Sequence, residues 1–281
     1  MQVIRSVKEM KTRSMDLRKE GKTIGFVPTM GSLHEGHLSL VDLIRKDCDI
    51  LLLSIYVNPT QFGVGEDFDK YPRDTERDLE LCRSRGVDLV FIPGSSEIYA
   101  GNASTYVVEE DVGMGMCGTA RPNHFRGVAT VCSKLFNLCQ PNYVVLGQKD
   151  AQQVVVLKRM IRDLHFPIEV VVGPILREPD GLAMSSRNKY LQSKQREEAL
   201  LVYQSIQAAR KVVEETGSSN VDRVKAEVLN VLKQGRLLRV NYVDIVDRET
   251  MCPEKEIVKG RSLLAVAVWV DQVRLIDNFC F

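Results

Sequence analysis

Along roughly the first 175 residues the apolar positions alternate between two rhythms, and the alternation predicts an α/β fold. Thr23–Val27, Asp49–Val57, Val87–Ile92, Tyr143–Leu146 and Ile168–Val172 are short β-rich runs, and Thr105–Val108 is a weaker one. Between them lie stretches with apolar residues at helical spacing. Ser6 and Glu9 read as a capping box opening a helix that Gly21 ends, with Val7, Met10 and Leu17 on one face. Further helices are expected through Leu38, Val41 and Ile44, from about Asp74 to Arg85, over Gly127–Cys139, and over Asp150–Leu164, with Asp150 and Gln153 spaced as a capping box. Asp49–Val57 is apolar on both faces, as strands inside a parallel sheet are. The expectation is a Rossmann-like, right-handed, doubly wound parallel sheet with ligands at the carboxyl ends of its strands.

After that point the rhythm changes. Ser193–Glu215 and Asn220–Gln234 predict helices, and Leu238–Val246, Leu263–Val270 and Val273–Ile276 predict strands, which together suggest a second, smaller α+β domain. Gly173–Asn188, with Pro174, Pro179 and Gly181, is the expected junction, giving domains of 1–175 and 176–281.

Composition narrows the function classes. Lysine plus arginine is 38 against 37 aspartate plus glutamate, so no net field draws the chain to nucleic acid or anionic lipid. The seven cysteines are scattered without a Cys-x-x-Cys pair, which fits a reducing compartment. The charged opening segment, from Arg5 to Glu20, lacks the apolar stretch of a secretion signal, and no apolar run is long enough to span a bilayer. A soluble cytoplasmic protein is expected.

Four segments carry candidate chemistry. Pro28–His37 lies between a strand and a helix, where helix-terminal N–H groups suit a phosphate, and Gly31 and Gly36 permit close backbone approach. His34 and His37 could donate to phosphoryl oxygens as charge develops, or be a surface pair, or belong to a zinc site lacking its other ligands. Gly181–Asn188 holds Ser185, Ser186 and Arg187, which could wrap a polyphosphate or merely cap a turn. Gly147–Gln153 offers Lys149 as a phosphate partner, with Asp150 also suited to an N-cap. Asn58–Gly63 offers Gln61, able to read a hydroxyl or carboxylate, or an ordinary turn.

Assembled, these residues resemble the pantothenate synthetase family, within the HxGH nucleotidyltransferase-like group related to class I aminoacyl-tRNA synthetases. The resemblance runs through Thr23–Gly31, Val57–Gly63, Tyr71–Arg73, His124–Val128, Lys134–Asn137 and Arg274–Asn278. It implies ATP, accompanied by Mg²⁺, across Met30, Gly31, Ser32, Leu33, His34, Glu35, Gly36 and His37. Gly147, Gln148, Lys149 and Asp150 would lie at the adenosine side, with Leu176, Met184, Ser185, Ser186 and Arg187 completing the pocket. It further implies His37 as proton donor, with His34, Lys149, Ser185, Ser186 and Arg187 neutralising phosphates. Gln61 and Gln153 would hold pantoate, with Gln61 also near β-alanine. The implied activity is ATP-driven condensation of pantoate with β-alanine through a pantoyl adenylate, in a homodimer. Alternatives are an adenylyltransferase of the same group or a nucleotide-binding module without turnover. Arg77 leaves Asp78 the only acid where related sequences show a pair, so no metal ligand is assigned, and Arg121 and His124 match the family motif without an assigned role.

Overall fold

The computed structural model describes all 281 residues, Met1–Phe281. It contains β1 (Gln2–Ile4), α1 (Val7–Lys19), β2 (Ile24–Thr29), α2 (Glu35–Ile44), β3 (Ile50–Ile55), α3 (Thr75–Ser84) and β4 (Leu89–Phe91). Two short helices, α4 (Ser95–Ile98) and α5 (Cys117–Ala120), precede α6 (His124–Cys139), β5 (Tyr143–Gly147), α7 (Ala151–Asp163) and β6 (Glu169–Gly173). Two long helices, α8 (Ser193–Thr216) and α9 (Val221–Leu232), lead into β7 (Leu238–Asp247), β8 (Ser262–Val270) and β9 (Val273–Cys280). The chain divides into two compact units, Met1–Gln148 with Val156–Pro174, and Lys149–Val155 with Ile175–Phe281.

In the first unit six parallel strands run in the order β1-β4-β3-β2-β5-β6. Phe26, Val27, Leu52, Leu53 and Val90 are all 0% exposed, as expected of strands covered on both faces. The chain winds outward from β2 through β3 and β4, then returns to β5 on β2's other side, so the order reverses between β2 and β5. Ligands bind at such a reversal, beyond the carboxyl ends.

Several local expectations change. β1 is an addition to the expected strands; it has three residues and pairs with β4 alone. Ser6 is the N-cap of α1 without a side-chain bond; the Val7 N–H goes to Glu97 at 2.8 Å, and the Glu9 side chain accepts from Gln2. Thr105–Val108 belongs to no strand; the Val107 N–H goes to the Thr130 hydroxyl at 2.9 Å. A single 3-10 turn, Gln148–Asp150, precedes α7, so the first helical residue is Ala151.

The second unit is a three-stranded antiparallel sheet, β7-β8-β9, with α8 and α9. Ala199, Val202, Ile206, Ala209 and Val213 of α8 recur at helical spacing and are buried with Val224 and Val228 of α9 and Leu264, Val266 and Val268 of β8. Each fully buried valine or leucine contributes about 1.5–3 kcal/mol relative to exposure. Helix α8 ends at Gly217, whose φ of +65° is the left-handed C-terminal conformation. No helix of the chain is long and apolar enough to cross a membrane.

Candidate active site

The Pro28–His37, Asn58–Gly63 and Gly147–Gln148 segments follow β2, β3 and β5, three adjacent strands of one parallel sheet. Their carboxyl ends are therefore side by side, at the edge where the strand order reverses.

The turn after β2 is built by backbone conformation and a buried acid. Gly31 and Ser32 have φ of +79° and +49°. A Cβ on Gly31 would meet Ile55 Cγ2 at 2.9 Å and Asp78 Oδ2 at 3.0 Å, so glycine is required there. Asp78, on α3 and 1% exposed, accepts the N–H groups of Ser32 at 2.8 Å and Leu33 at 2.7 Å. Arg77 donates to the Leu33 carbonyl at 3.1 Å, and the Gly31 N–H goes to the Thr29 hydroxyl at 3.1 Å. Burial pushes the Asp78 carboxyl above its usual range, opposed by those N–H donors and by Arg77.

The N–H groups of Gly31, Ser32 and Leu33 all have internal acceptors. The Leu33 side chain is fully buried and both of its backbone polar groups are engaged within the turn. Glu35 likewise turns its carboxylate to Arg85 at 2.7 Å.

His34 and His37 do not share a helical face, because His34 is the N-cap of α2. Its Nδ1 accepts the Gly36 N–H at 3.1 Å, while His37 Nδ1 accepts the His34 N–H at 3.4 Å. The rings lie 4.0 Å apart, centroid to centroid. A backbone N–H can only donate, so each Nδ1 presents its lone pair and each neutral imidazole carries its proton on Nε2. The motif thus fixes two Nε2–H donors at the start of α2.

Gln61 is oriented by an equally directional argument. Asn58, 1% exposed, accepts at Oδ1 from the Thr60 N–H at 3.4 Å and donates from Nδ2 to the Gly127 carbonyl at 3.1 Å. Those backbone partners allow only one orientation of its amide. Asn58 Nδ2 also donates to Gln61 Oε1 at 3.1 Å, so Gln61 Nε2 is the end turned away, 3.1 Å from Met30 Sδ. Gly127 makes the approach possible, since a Cβ there would lie 2.4 Å from the Thr60 carbonyl oxygen. The Gln61 carbonyl is held by Arg121 at 3.4 Å and contacted by His124 Nδ1 at 2.9 Å, and Arg121 pairs with both oxygens of Glu66 at 2.7 Å. Arg121 and His124 therefore order the Gln61 turn.

In the second unit, Lys149 Nζ lies 3.7 Å from Asp150 Oδ2, and Gln153 is half-buried in the first turn of α7. Ser185 accepts the Arg187 N–H at 3.3 Å and caps the 3-10 turn Ser186–Tyr190, so its hydroxyl has a local duty. Ser186 is buried and Leu176 exposed. Asp78 and Asn58 were the residues that sequence reasoning missed. The available signal at Asp78 was an acid one helical turn before the buried Cys82, on the face of α3 that meets the core.

The profile of the Pantoate-beta-alanine ligase family matches residues 2–280. The chain is 49% identical to the pantothenate synthetase of Thermotoga petrophila over 278 residues, 99% of each chain. It is 48% identical to that of Sulfurihydrogenibium sp. over 282 residues, 100% of each. The crystal structure of the pantothenate synthetase from Thermus thermophilus superposes with a TM-score of 0.93 at 42% identity over 99% of both chains. The pantoate-beta-alanine ligase from Francisella tularensis, complexed with beta-gamma ATP and beta-alanine, gives a TM-score of 0.83 at 31% identity, over 100% of this chain and 97% of that one. With a family profile spanning all but its terminal residues and near-half identity along its length, the chain belongs to the pantoate-beta-alanine ligase family.

Proposed function

We propose that this chain condenses pantoate with β-alanine to pantothenate, converting ATP to AMP and pyrophosphate through a bound pantoyl adenylate. Within the family, the observation that carries this reading is the pairing of two Nε2–H donors, at His34 and His37, with the outward Gln61 amide at adjacent strand ends.

A pantoate carboxylate oxygen attacks the α-phosphorus, the bond to the bridging oxygen breaks, and pyrophosphate leaves with that electron pair. His37 and His34 donate to phosphoryl oxygens as negative charge builds there, a role worth about 10²–10³ in rate for one lost donor. The amine of β-alanine then attacks the acyl carbon, the acyl–oxygen bond breaks, AMP departs, and the amine proton passes to solvent. No side-chain nucleophile is needed, so positioning and charge stabilisation supply the catalysis.

Gln61, presenting Nε2, donates to a pantoate oxygen, with Gln153 as a second amide for that substrate. Lys149, Ser185, Ser186 and Arg187 meet the phosphates. Gly147, Gln148, Asp150, Leu176 and Met184 border the nucleotide, and ATP lies across Met30, Gly31, Ser32, Leu33, Glu35 and Gly36 beside the histidines. Mg²⁺ would enter as part of the MgATP substrate and would help neutralise the phosphate charge. The cysteines form no disulfide and five of the seven are buried, which supports a cytoplasmic setting. The family resemblance supports a homodimer, which light scattering would test.

The deciding experiment supplies MgATP with pantoate, with and without β-alanine, and follows AMP, pyrophosphate and pantothenate. Pantothenate and AMP in equal amounts, only when both acids are present, are expected. Pyrophosphate release that needs a phosphorylated acceptor would replace this reading with an adenylyltransferase.

A further inference from the structure

Arg274–Asn278 has no part in the chemistry above, yet it places an acid and an amide in the last strand of an apolar sheet. Val273, Leu275 and Asp277 alternate onto one face of β9, and the first two belong to the core of the second unit. Asp277 continues that row at 3% exposure. A carboxylate there is costly unless paired and hydrogen-bonded. Arg177 donates to its two oxygens at 2.6 and 3.0 Å, and the Asn278 N–H donates to Oδ1 at 2.8 Å.

The same guanidinium organises a hairpin. Arg177 donates to the Gly181 carbonyl at 3.0 Å and lies 4.7 Å from the centre of the Tyr203 ring. Gly181 has φ +98°, and a Cβ there would meet Tyr203 at 2.2 Å. Arg177 pairs with Ala183 across the hairpin, and the Met184 N–H reaches the Leu176 carbonyl at 3.0 Å. Asn188 then closes the turn carrying Ser185, Ser186 and Arg187 by donating to Glu178 at 2.6 Å and to the Ala183 carbonyl at 3.1 Å.

Asn278, the next residue on the strand and 4% exposed, donates from Nδ2 to the carbonyl of Lys149 at 3.0 Å. Two consecutive residues of β9 therefore tie down two segments distant in sequence, and both segments carry proposed phosphate contacts. Burial pushes the Asp277 carboxyl up, opposed first by Arg177 and, more weakly, by the charge of Lys149.

We propose that Asp277 and Asn278 are positioning residues for adenylate formation, the first setting the Arg177–Asn188 hairpin and the second the main chain of Lys149. This rests on the reading that Lys149, Ser185, Ser186 and Arg187 meet the triphosphate. Neither residue touches a reacting atom; each limits where those side chains can go, and misplacement by about 1 Å is enough to cost a large rate factor.

The test uses the full chain with Asn278→Ala, and separately with Asp277→Asn combined with Arg177→Gln so that no charge is orphaned. Pantoate-dependent exchange of pyrophosphate into ATP, without β-alanine, isolates the first step. For Asn278→Ala the thermal midpoint stays near wild type, exchange falls about 10-fold or the ATP KM rises by as much, and the pantoate KM does not move. A folded Asn278→Ala with wild-type exchange and ATP KM overturns the proposal, and so does an equal rise in the KM values for ATP and pantoate. The double variant gives the same pattern; if it does not fold, Asn278→Ala alone decides. A wild-type chain without pantoate-dependent exchange removes the functional reading itself, whereas active wild type with unaffected variants removes only the positioning role.

Discussion

Leu33 gives its backbone N–H to Asp78 Oδ1 at 2.7 Å, and the residue beside Asp78, Arg77, returns a donor to the Leu33 carbonyl at 3.1 Å. Helix α3 thereby grips both polar groups of one peptide position in the turn that leads to the histidines. The second Asp78 oxygen holds Ser32 at φ +49°, a conformation a serine seldom adopts. Asp78→Ala would leave two buried N–H groups without acceptors, at about 1–3 kcal/mol each. A stability loss of roughly 2–6 kcal/mol by urea titration is expected, with kcat lowered in the folded fraction. A loss of only a few tenths of a kcal/mol would mean that Gly31–Leu33 keeps its shape without the carboxylate.

His37→Ala should lower kcat by about 10²-fold or more while changing the ATP KM little, because its Nε2–H acts on charge that exists chiefly in the transition state. His34→Ala should show a smaller loss in kcat accompanied by some loss of stability, since His34 also caps α2 through Nδ1. Single-turnover pyrophosphate release separates the two. Near-native turnover in His37→Ala would take that residue out of the chemistry.

What the sequence made legible was whatever depends on neighbours along the chain. Asp49–Val57 announces a buried parallel strand because burial on both faces leaves a continuous apolar run, and the motif segments could be placed at strand ends for the same reason. Thr105–Val108 has strand composition but pairs with no strand, since pairing depends on what lies alongside, and Thr130 of α6 takes the Val107 N–H instead. The glycines of Pro28–His37 were visible, but not that Asp78, 45 residues downstream of Leu33, consumes the N–H groups they expose. Asn58 sat in plain view within its motif; its hold on Gln61 arises only when Gly127 lets α6 approach the turn.

Because Asn58 takes Gln61 Oε1, the outward atom is an N–H₂ donor, and this makes the direction of a substitution predictable. Gln61→Ala should raise the pantoate KM by about 10- to 150-fold with little change in the ATP KM, the loss of one hydrogen bond to a charged group being about 1.5–3 kcal/mol. Gln61→Glu should be worse than alanine, since it keeps an acceptor for Asn58 but turns a carboxylate oxygen toward the pantoate oxygen. Equal increases in the pantoate and ATP KM values for Gln61→Ala would contradict the substrate role.

Acid stability provides a test of the network behind that turn. Burial raises the Glu66 carboxyl, but the hydrogen bonds and charge of Arg121, with smaller help from the Gly63 backbone and His124, bring it down from 4.5 to about 2. A carboxyl depressed in the folded state stabilises the fold above its unfolded value, near 4.5, and that contribution disappears as pH falls towards about 2. Wild type should therefore exceed Glu66→Gln in unfolding free energy by about 1–3 kcal/mol near neutral pH, the range for a partly buried charged pair. The difference should shrink steadily from about pH 4.5 to about pH 2. Repeating the titration in a His124→Gln background isolates the carboxylate, because that imidazole faces Arg121 at 3.0 Å. A difference independent of pH would mean that Glu66 stabilises the turn by packing alone, and the Arg121 pair would then carry none of the order imposed on Gln61.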